Sequence, residues 1–205
     1  MKTLSTYCVD CVFENKAMRV AKTDIAPGIF TLSDVLSPEE CKACIELSEG
    51  LGFETALINM NMGGVQDRDV RNNGRVILDD AERAALLWSR IAPEVPVFLN
   101  GRQARGLNER FRFYRYEPGQ QFKYHQDGSF ERPNGEKSQL TFMVYLNEDF
   151  EGGETRFNEV CIAPRTGMAL VFRHDLLHEG ATVQRGQKYV LRSDVMYGAV
   201  GRIYG

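Results

Sequence analysis

The residues of this chain that could do chemistry lie in Tyr116–Asp127, YEPGQQFKYHQD, and far downstream in LLHEG, which carries His178. His125 and Asp127 are separated by one residue, so on an extended strand both side chains project from the same face. With His178 they would form a 2-His-1-carboxylate triad, the donor set that holds non-haem Fe(II) and leaves the opposite face of the metal open for substrate and O2. Lys188, ten residues after His178, supplies the cation that an anionic cosubstrate needs. The combination predicts an Fe(II) oxygenase; an HxD tripeptide alone would not. His174 competes with His178 and has Asp175 beside it, but it follows a strand in an expected loop, so His178 is preferred. A carboxylate at Asp127 argues for hydroxylation over halogenation, because losing that ligand is what opens a position for halide.

The elements that must position these groups are short and extended. Arg110 to Tyr116 alternates as one strand, Gln120 to Tyr124 leads into the HQD, and Leu140 to Leu146 is a fully apolar strand. Further strands follow at Thr155–Phe157, Val160–Ala163, Met168–Phe172 and Lys188–Met196, and strands at this spacing indicate a sandwich or jelly roll. On the last strand Lys188, Val190, Arg192, Asp194 and Met196 share one face, with Tyr189, Leu191, Val195 and Tyr197 behind them. If the cosubstrate is 2-oxoglutarate, its far carboxylate requires a cation on the cavity face, and either Lys188 or Arg192 could serve. Tyr116 and Tyr145 are candidate hydroxyl donors to it. Arg112, Tyr114 and Arg192 are candidates for the substrate side.

The first hundred residues carry supporting elements. Short strands are expected at Val9–Phe13, Met18–Ala21 and Ile29–Leu32. A helix starts at Ser37-Pro38-Glu39-Glu40, with Ser37 as N-cap and Pro38 at the first helical position, and runs to about Glu49. A second helix, Asp79 to Ile91, shows an apolar stripe of Ala81, Ala85, Leu86 and Trp88. Between them residues 59–75 read as a long loop of the kind that binds substrate, with Arg68, Arg71, Asn72, Asn73 and Arg75 as candidate contacts.

Composition sets the outer bounds. Apolar residues make up 43% and charged residues 26% of the 205-residue chain, ordinary for a globular protein. The net charge of -3 gives no global reason to expect nucleic acid. A local arginine series (Arg102, Arg105, Arg110, Arg112, Arg115) keeps that rival in view. No apolar run reaches the ~20 residues of a membrane span, and the opening MKTLSTYCVDCVFEN lacks a sustained apolar segment. The expected compartment is the cytoplasm. Cys8/Cys11 and Cys41/Cys44 form two CxxC pairs, too far apart for the usual zinc ribbon. The second pair falls on one helix face and reads as buried structural thiols.

From Leu107 to Tyr197 the chain resembles the 2-oxoglutarate/Fe(II) oxygenases, specifically the prolyl 4-hydroxylase and lysyl hydroxylase branch. The resemblance rests on YEPGQQFKYHQD, on YLNEDFEGGETRF and on HEGATVQRGQKYV. It implies an α+β, mainly β fold: a double-stranded β-helix (jelly roll, cupin-like), with N-terminal helices packed on the major sheet. One oxygenase domain would occupy 1–205, with supporting elements in 1–106 and the catalytic core in 107–205. It implies Fe(II) held by His125, Asp127 and His178, the far carboxylate of 2-oxoglutarate on Lys188, and Tyr145 and Tyr116 in the active site. The implied reaction is hydroxylation of an unactivated C–H bond, coupled to decarboxylation of 2-oxoglutarate to succinate and CO2, with O2 as cosubstrate and ascorbate as reductant. A protein side chain such as proline leads as substrate; a free amino acid or small metabolite follows, and a non-catalytic 2-oxoglutarate-binding sensor is the reading of another class.

Overall fold

The computed structural model describes residues 19–55, 58–60, 63–65 and 71–200. The expected strand Val9–Phe13, the first residue of its expected partner Met18–Ala21, the pair Cys8/Cys11 and Arg68 lie outside the described residues.

The chain folds into a double-stranded β-helix with two helices packed against one side. The major sheet runs, strand by hydrogen-bonded strand, through Ala21–Ala26, Ile29–Ser33, Ala169–Arg173, Lys137–Tyr145, Lys188–Ala199, Arg110–Tyr116, Gly74–Asp79 and Glu54–Thr55. Arg102–Leu107 adds alongside Lys188–Ala199. The facing minor sheet has the order Phe122–His125, His178–Gly180, Thr155–Phe157, Cys161–Ile162. Strands from the first hundred residues are therefore built into the same sheet as those that follow. Among the described helices, none is long and apolar enough to cross a membrane.

Strand alternation gives the major sheet two different faces. Its outer face presents Phe111, Phe113, Phe142, Val144, Leu191 and Val195, which form one buried cluster with Cys41, Cys44, Ala84, Leu87 and Ile91 of the helices. Its inner face presents Tyr114, Tyr116, Tyr145, Leu170 and Val190, which join Phe157, Ile162 and Val183 in a second cluster between the sheets. One face anchors helices and the other lines a cavity.

The helix Pro38–Leu51 begins at the expected N-cap: Ser37 Oγ accepts from the Glu40 amide, and the Glu40 carboxylate accepts from the Ser37 amide. Glu40 also receives Arg90 Nη2 at 2.7 Å, which ties the two helices together in a nearly dry contact. Cys41 and Cys44 are buried in the core, and burial first of all pushes both thiols up to about 12. The second helix is Ala81–Ile91, capped by Asp80, and its face differs from the expected one. Arg83, Ala84, Leu87 and Ile91 are buried, whereas Ala81 and Ala85 are exposed. Arg83 lies on this inward face, paired with Asp80 at 2.8 Å.

Within 59–75 the described residues include strands where a loop is expected. Ile58–Met60 pairs with Gly63–Val65, and Gly74 opens the strand Gly74–Asp79, which lies beside Arg110–Tyr116.

Candidate metal centre and cosubstrate pocket

The strand Phe122–His125 and the strand Thr155–Phe157 flank His178–Gly180. Register places His125 directly opposite His178. Asp127 lies just past the strand end, where its amide donates to the His174 carbonyl at 3.1 Å and holds the backbone extended. The i, i+2 spacing still turns both side chains into one cavity. Potential ligand atoms of His125, Asp127 and His178 all lie within 4.8 Å of one another. Asp127 Oδ1 is 3.7 Å from His125 Nε2, and Oδ2 is 3.7 Å from His178 Nε2.

Each histidine is oriented by its other nitrogen. His125 Nδ1 lies 2.7 Å from the Lys123 carbonyl, and His178 Nδ1 lies 3.0 Å from that of Leu176. A carbonyl only accepts, so both Nδ1 atoms carry the proton and both Nε2 lone pairs face inward. Phe122 stacks on His125 with centroids 3.5 Å apart, and Phe172 packs edge-on against His178. Burial, then His178, lowers His125 to about 4; burial likewise lowers His178. For Asp127 burial alone would raise the carboxyl. Arg192, His178, His125 and the Thr141 hydroxyl outweigh it and hold the group well below the usual carboxylate range. Two neutral imidazoles and one ionised carboxylate are the protonation states a divalent cation requires.

The carboxylate is itself held from behind. Thr141 Oγ1 donates to Asp127 Oδ2 at 2.5 Å, and Arg192 Nη2 lies 3.0 Å from Oδ1. Arg192 also lies 3.3 Å from Asp194, which in turn receives Arg112 at 3.2 Å and has His174 Nε2 at 3.4 Å. His174 thus faces Asp194, and His178 is the histidine brought to the triad.

Lys188 lines the same cavity. It is buried, and its ammonium donates to the Gly153 carbonyl at 2.6 Å. It stands over the rings of Tyr116 and Tyr145 at 5.3 and 5.5 Å. Among the described residues no carboxylate pairs with it. Burial lowers it from 10.5 to about 8. Tyr145 shares a hydrogen bond of 2.7 Å with Thr155 Oγ1. Arg192, the other candidate cation, already faces two carboxylates, so Lys188 is the one left with charge to offer an incoming anion.

A sequence profile of the 2OG-Fe(II) oxygenase superfamily matches residues 111–193. Prolyl 4-hydroxylase 1 of Arabidopsis thaliana is 31% identical over 135 residues, covering 64% of this chain and 47% of that protein. The chain therefore spans about half the length of that relative. The 2OG complex of the viral collagen prolyl hydroxylase from Paramecium Bursaria Chlorella virus-1 shares the fold. Its TM-score is 0.57 at 24% identity, over 84% of this chain and 96% of the other. A Trichoplax adhaerens prolyl hydroxylase, solved with a hypoxia inducible factor oxygen degradation domain peptide fragment, gives 0.61 at 17% identity, over 82% of this chain and 83% of the other.

Tyr114, Tyr116, Lys188 and Arg192 line the cavity together with the triad. Asn72 and Asn73 do not point a free group at it: Asn72 Oδ1 accepts from the Gln121 amide, while Asn73 is fully buried between Arg71 and the Gly74 carbonyl. Together they pin the segment carrying Arg71 against Phe122. The arginine series suggested for nucleic acid is dispersed, with Arg110 on Asp79, Arg112 on Asp194 and Arg115 on Glu49. Sequence reasoning missed Thr141, Thr155 and Phe122 as site residues. A threonine on the cavity face of the apolar strand LTFMVYL was the available signal for the first; Phe122 and Thr155 lie within YEPGQQFKYHQD and YLNEDFEGGETRF, the motifs that carry the resemblance.

Proposed function

We propose that the chain is a 2-oxoglutarate- and Fe(II)-dependent dioxygenase that hydroxylates an unactivated C–H bond of a peptide side chain, with proline the leading candidate. The observation that carries this reading is a triad of two neutral histidines and one ionised aspartate, sharing a cavity with a buried lysine that has no carboxylate partner among the described residues. His125, Asp127 and His178 would hold the iron through Nε2, a carboxylate oxygen and Nε2. Thr141 and Arg192 fix the aspartate so that its geometry is set before the metal arrives. Lys188, with the Tyr145 hydroxyl nearby on the inner face, would bind the far carboxylate of 2-oxoglutarate, and that anion would restore the ammonium's charge preference. Iron bound with 2-oxoglutarate supplies the activation of O2. Phe122, Phe172, Met143 and Val190 keep the walls of the cavity apolar and exclude water. The names of the Arabidopsis relative and of the viral and Trichoplax structures support a prolyl substrate within a peptide.

Succinate release from anaerobically Fe(II)-loaded protein, given 2-oxoglutarate, O2 and ascorbate as reductant, tests the proposal. Release from wild type and its absence in His178→Ala is the expected result. Binding of Fe(II) and 2-oxoglutarate without succinate, with or without proline peptides, would favour a sensor; no binding would sink the site assignment.

A further inference from the structure

The inner face of the major sheet continues past the metal cavity. It crosses Arg110–Tyr116 to Gly74–Asp79, where Arg75 stands opposite Tyr114 and Ile77 opposite Arg112. Directly paired residues of an antiparallel ladder project from one face. Arg71 joins them through a bridge to Phe122. Its guanidinium lies 4.5 Å from the Tyr114 ring and 4.4 Å from the Phe122 ring, and both rings line the metal cavity. Arg71, Arg75, Arg112 and Arg192 are thereby gathered around one tyrosine.

Only part of this charge is answered. Arg192 faces Asp127 and Asp194, and Arg112 faces Asp194. Arg71 is buried, gives Nε to Asn73 Oδ1 at 2.8 Å, and leaves Nη2 buried with no hydrogen-bond partner. Arg75 is partly buried; Glu54, its cross-strand neighbour at the sheet edge, is exposed. Among the described residues neither Arg71 nor Arg75 forms an ion pair. The Tyr114 phenol registers the surplus. Burial pushes it up, yet Arg71, Arg192 and Arg112 bring it down to about 8. Arg75 is lowered by burial and then by Arg71 and Arg112. A desolvated guanidinium without a counter-charge is unfavourable, and an anion relieves it. Lys188 lies on the strand that flanks Arg110–Tyr116 on its other side, opposite Tyr116, so the cosubstrate's carboxylate and this surplus address different positions.

We infer that the substrate carries a carboxylate that docks on Arg71 and Arg75 beside Tyr114, at the Gly74–Asp79 side of the cavity; the inference rests on the oxygenase reading above. The carboxylate comes either from an acidic residue flanking the hydroxylated one in a peptide or from the α-carboxylate of a free amino acid. Arg71 and Arg75 select the substrate and take no part in the oxidation.

The test is anaerobic calorimetry on Fe(II)- and 2-oxoglutarate-loaded protein with matched probes. One pair is an acetylated, amidated pentapeptide with a central proline flanked by Asp, and its Asn twin; the other is N-acetylproline and its amide. Charge-assisted hydrogen bonds set the expected preference for the acidic member of one pair at about tenfold or more, and the pair that shows it identifies the source. Arg75→Gln is expected to reduce that preference to about threefold or less, and Arg75→Lys to retain most of it. Arg71 is buried and its removal endangers the fold, so Arg71→Lys accompanies the Arg75 variants, with loss of the preference expected because Lys cannot form the guanidinium stack. Equal binding of acidic and neutral twins, or binding of neither, overturns the inference, as does an acidic preference indifferent to all three variants. Succinate release measured in parallel separates the two levels: release with no acidic preference refutes the carboxylate site alone. Absence of iron and 2-oxoglutarate binding refutes the oxygenase reading and this inference with it.

Discussion

Replacing Lys188 with Met removes a buried charge while keeping an unbranched side chain of similar length, and the structure sets the size of the effect. Burial lowers the ammonium from 10.5 to about 8. At 1.36 kcal/mol per pKa unit, holding Lys188 ionised at pH 7 costs the folded protein about 3 kcal/mol. Methionine forfeits the hydrogen bond to the Gly153 carbonyl, worth about 1 kcal/mol. Metal-free Lys188→Met should therefore be more stable than wild type by about 2 kcal/mol at pH 7. Below about 8 the lysine is protonated in both folded and unfolded states, so the gap is constant there. Between about 8 and 10.5 the unfolded chain binds a proton that the folded one does not, so wild-type stability rises with pH and the gap narrows. Urea unfolding of both proteins at pH 7.0, 8.5 and 9.5 reads this directly, and groups common to the two cancel in the difference. 2-Oxoglutarate should raise the Tm of metal-loaded wild type and leave that of the variant unmoved. A variant less stable than wild type at pH 7, or a gap that does not change with pH, would refute the reasoning.

Three further outcomes follow from named contacts. Thr141→Val deletes the hydroxyl that donates to Asp127 and should weaken Fe(II) binding about tenfold in a chelator competition; unchanged affinity would remove Thr141 from the site. Tyr145→Phe loses the hydroxyl shared with Thr155 and should raise the dissociation constant for 2-oxoglutarate about tenfold with little change in iron binding. An unaltered constant would show that this hydroxyl does not reach the cosubstrate. Gly167→Ala places a Cβ against the Leu36 carbonyl at a φ of +79°. It should lower stability by more than about 2 kcal/mol in urea unfolding, because Gly167 O accepts from both Val35 and Leu36; a change below about 0.5 kcal/mol would show that the turn yields freely.

Much of the candidate site could be read from local sequence, because local covalent geometry dictates it. An i, i+2 pair such as His125 and Asp127 shares a face wherever the backbone is extended, even though the strand itself ends at His125. The same alternation separated Lys188, Val190 and Arg192 from Tyr189 and Leu191, and the cavity and the helix-packed core divide those residues in that way. The N-cap at Ser37 was equally local, since its hydrogen bonds reach only three residues. Other features depended on partners distant in sequence. Lys188 and Arg192 look alike along the chain; the register brings Asp127 and Asp194 to Arg192, and among the described residues Lys188 has no carboxylate. The stripe of the second helix was misjudged: Arg83, paired with Asp80, lies on the buried face, which apolar periodicity does not anticipate. The sequence by itself determined which residue types stand on which face and hence the metal-binding chemistry. The tertiary structure decided which charges are neutralised and which stay available, because that depends on burial and on contacts between segments far apart in the chain.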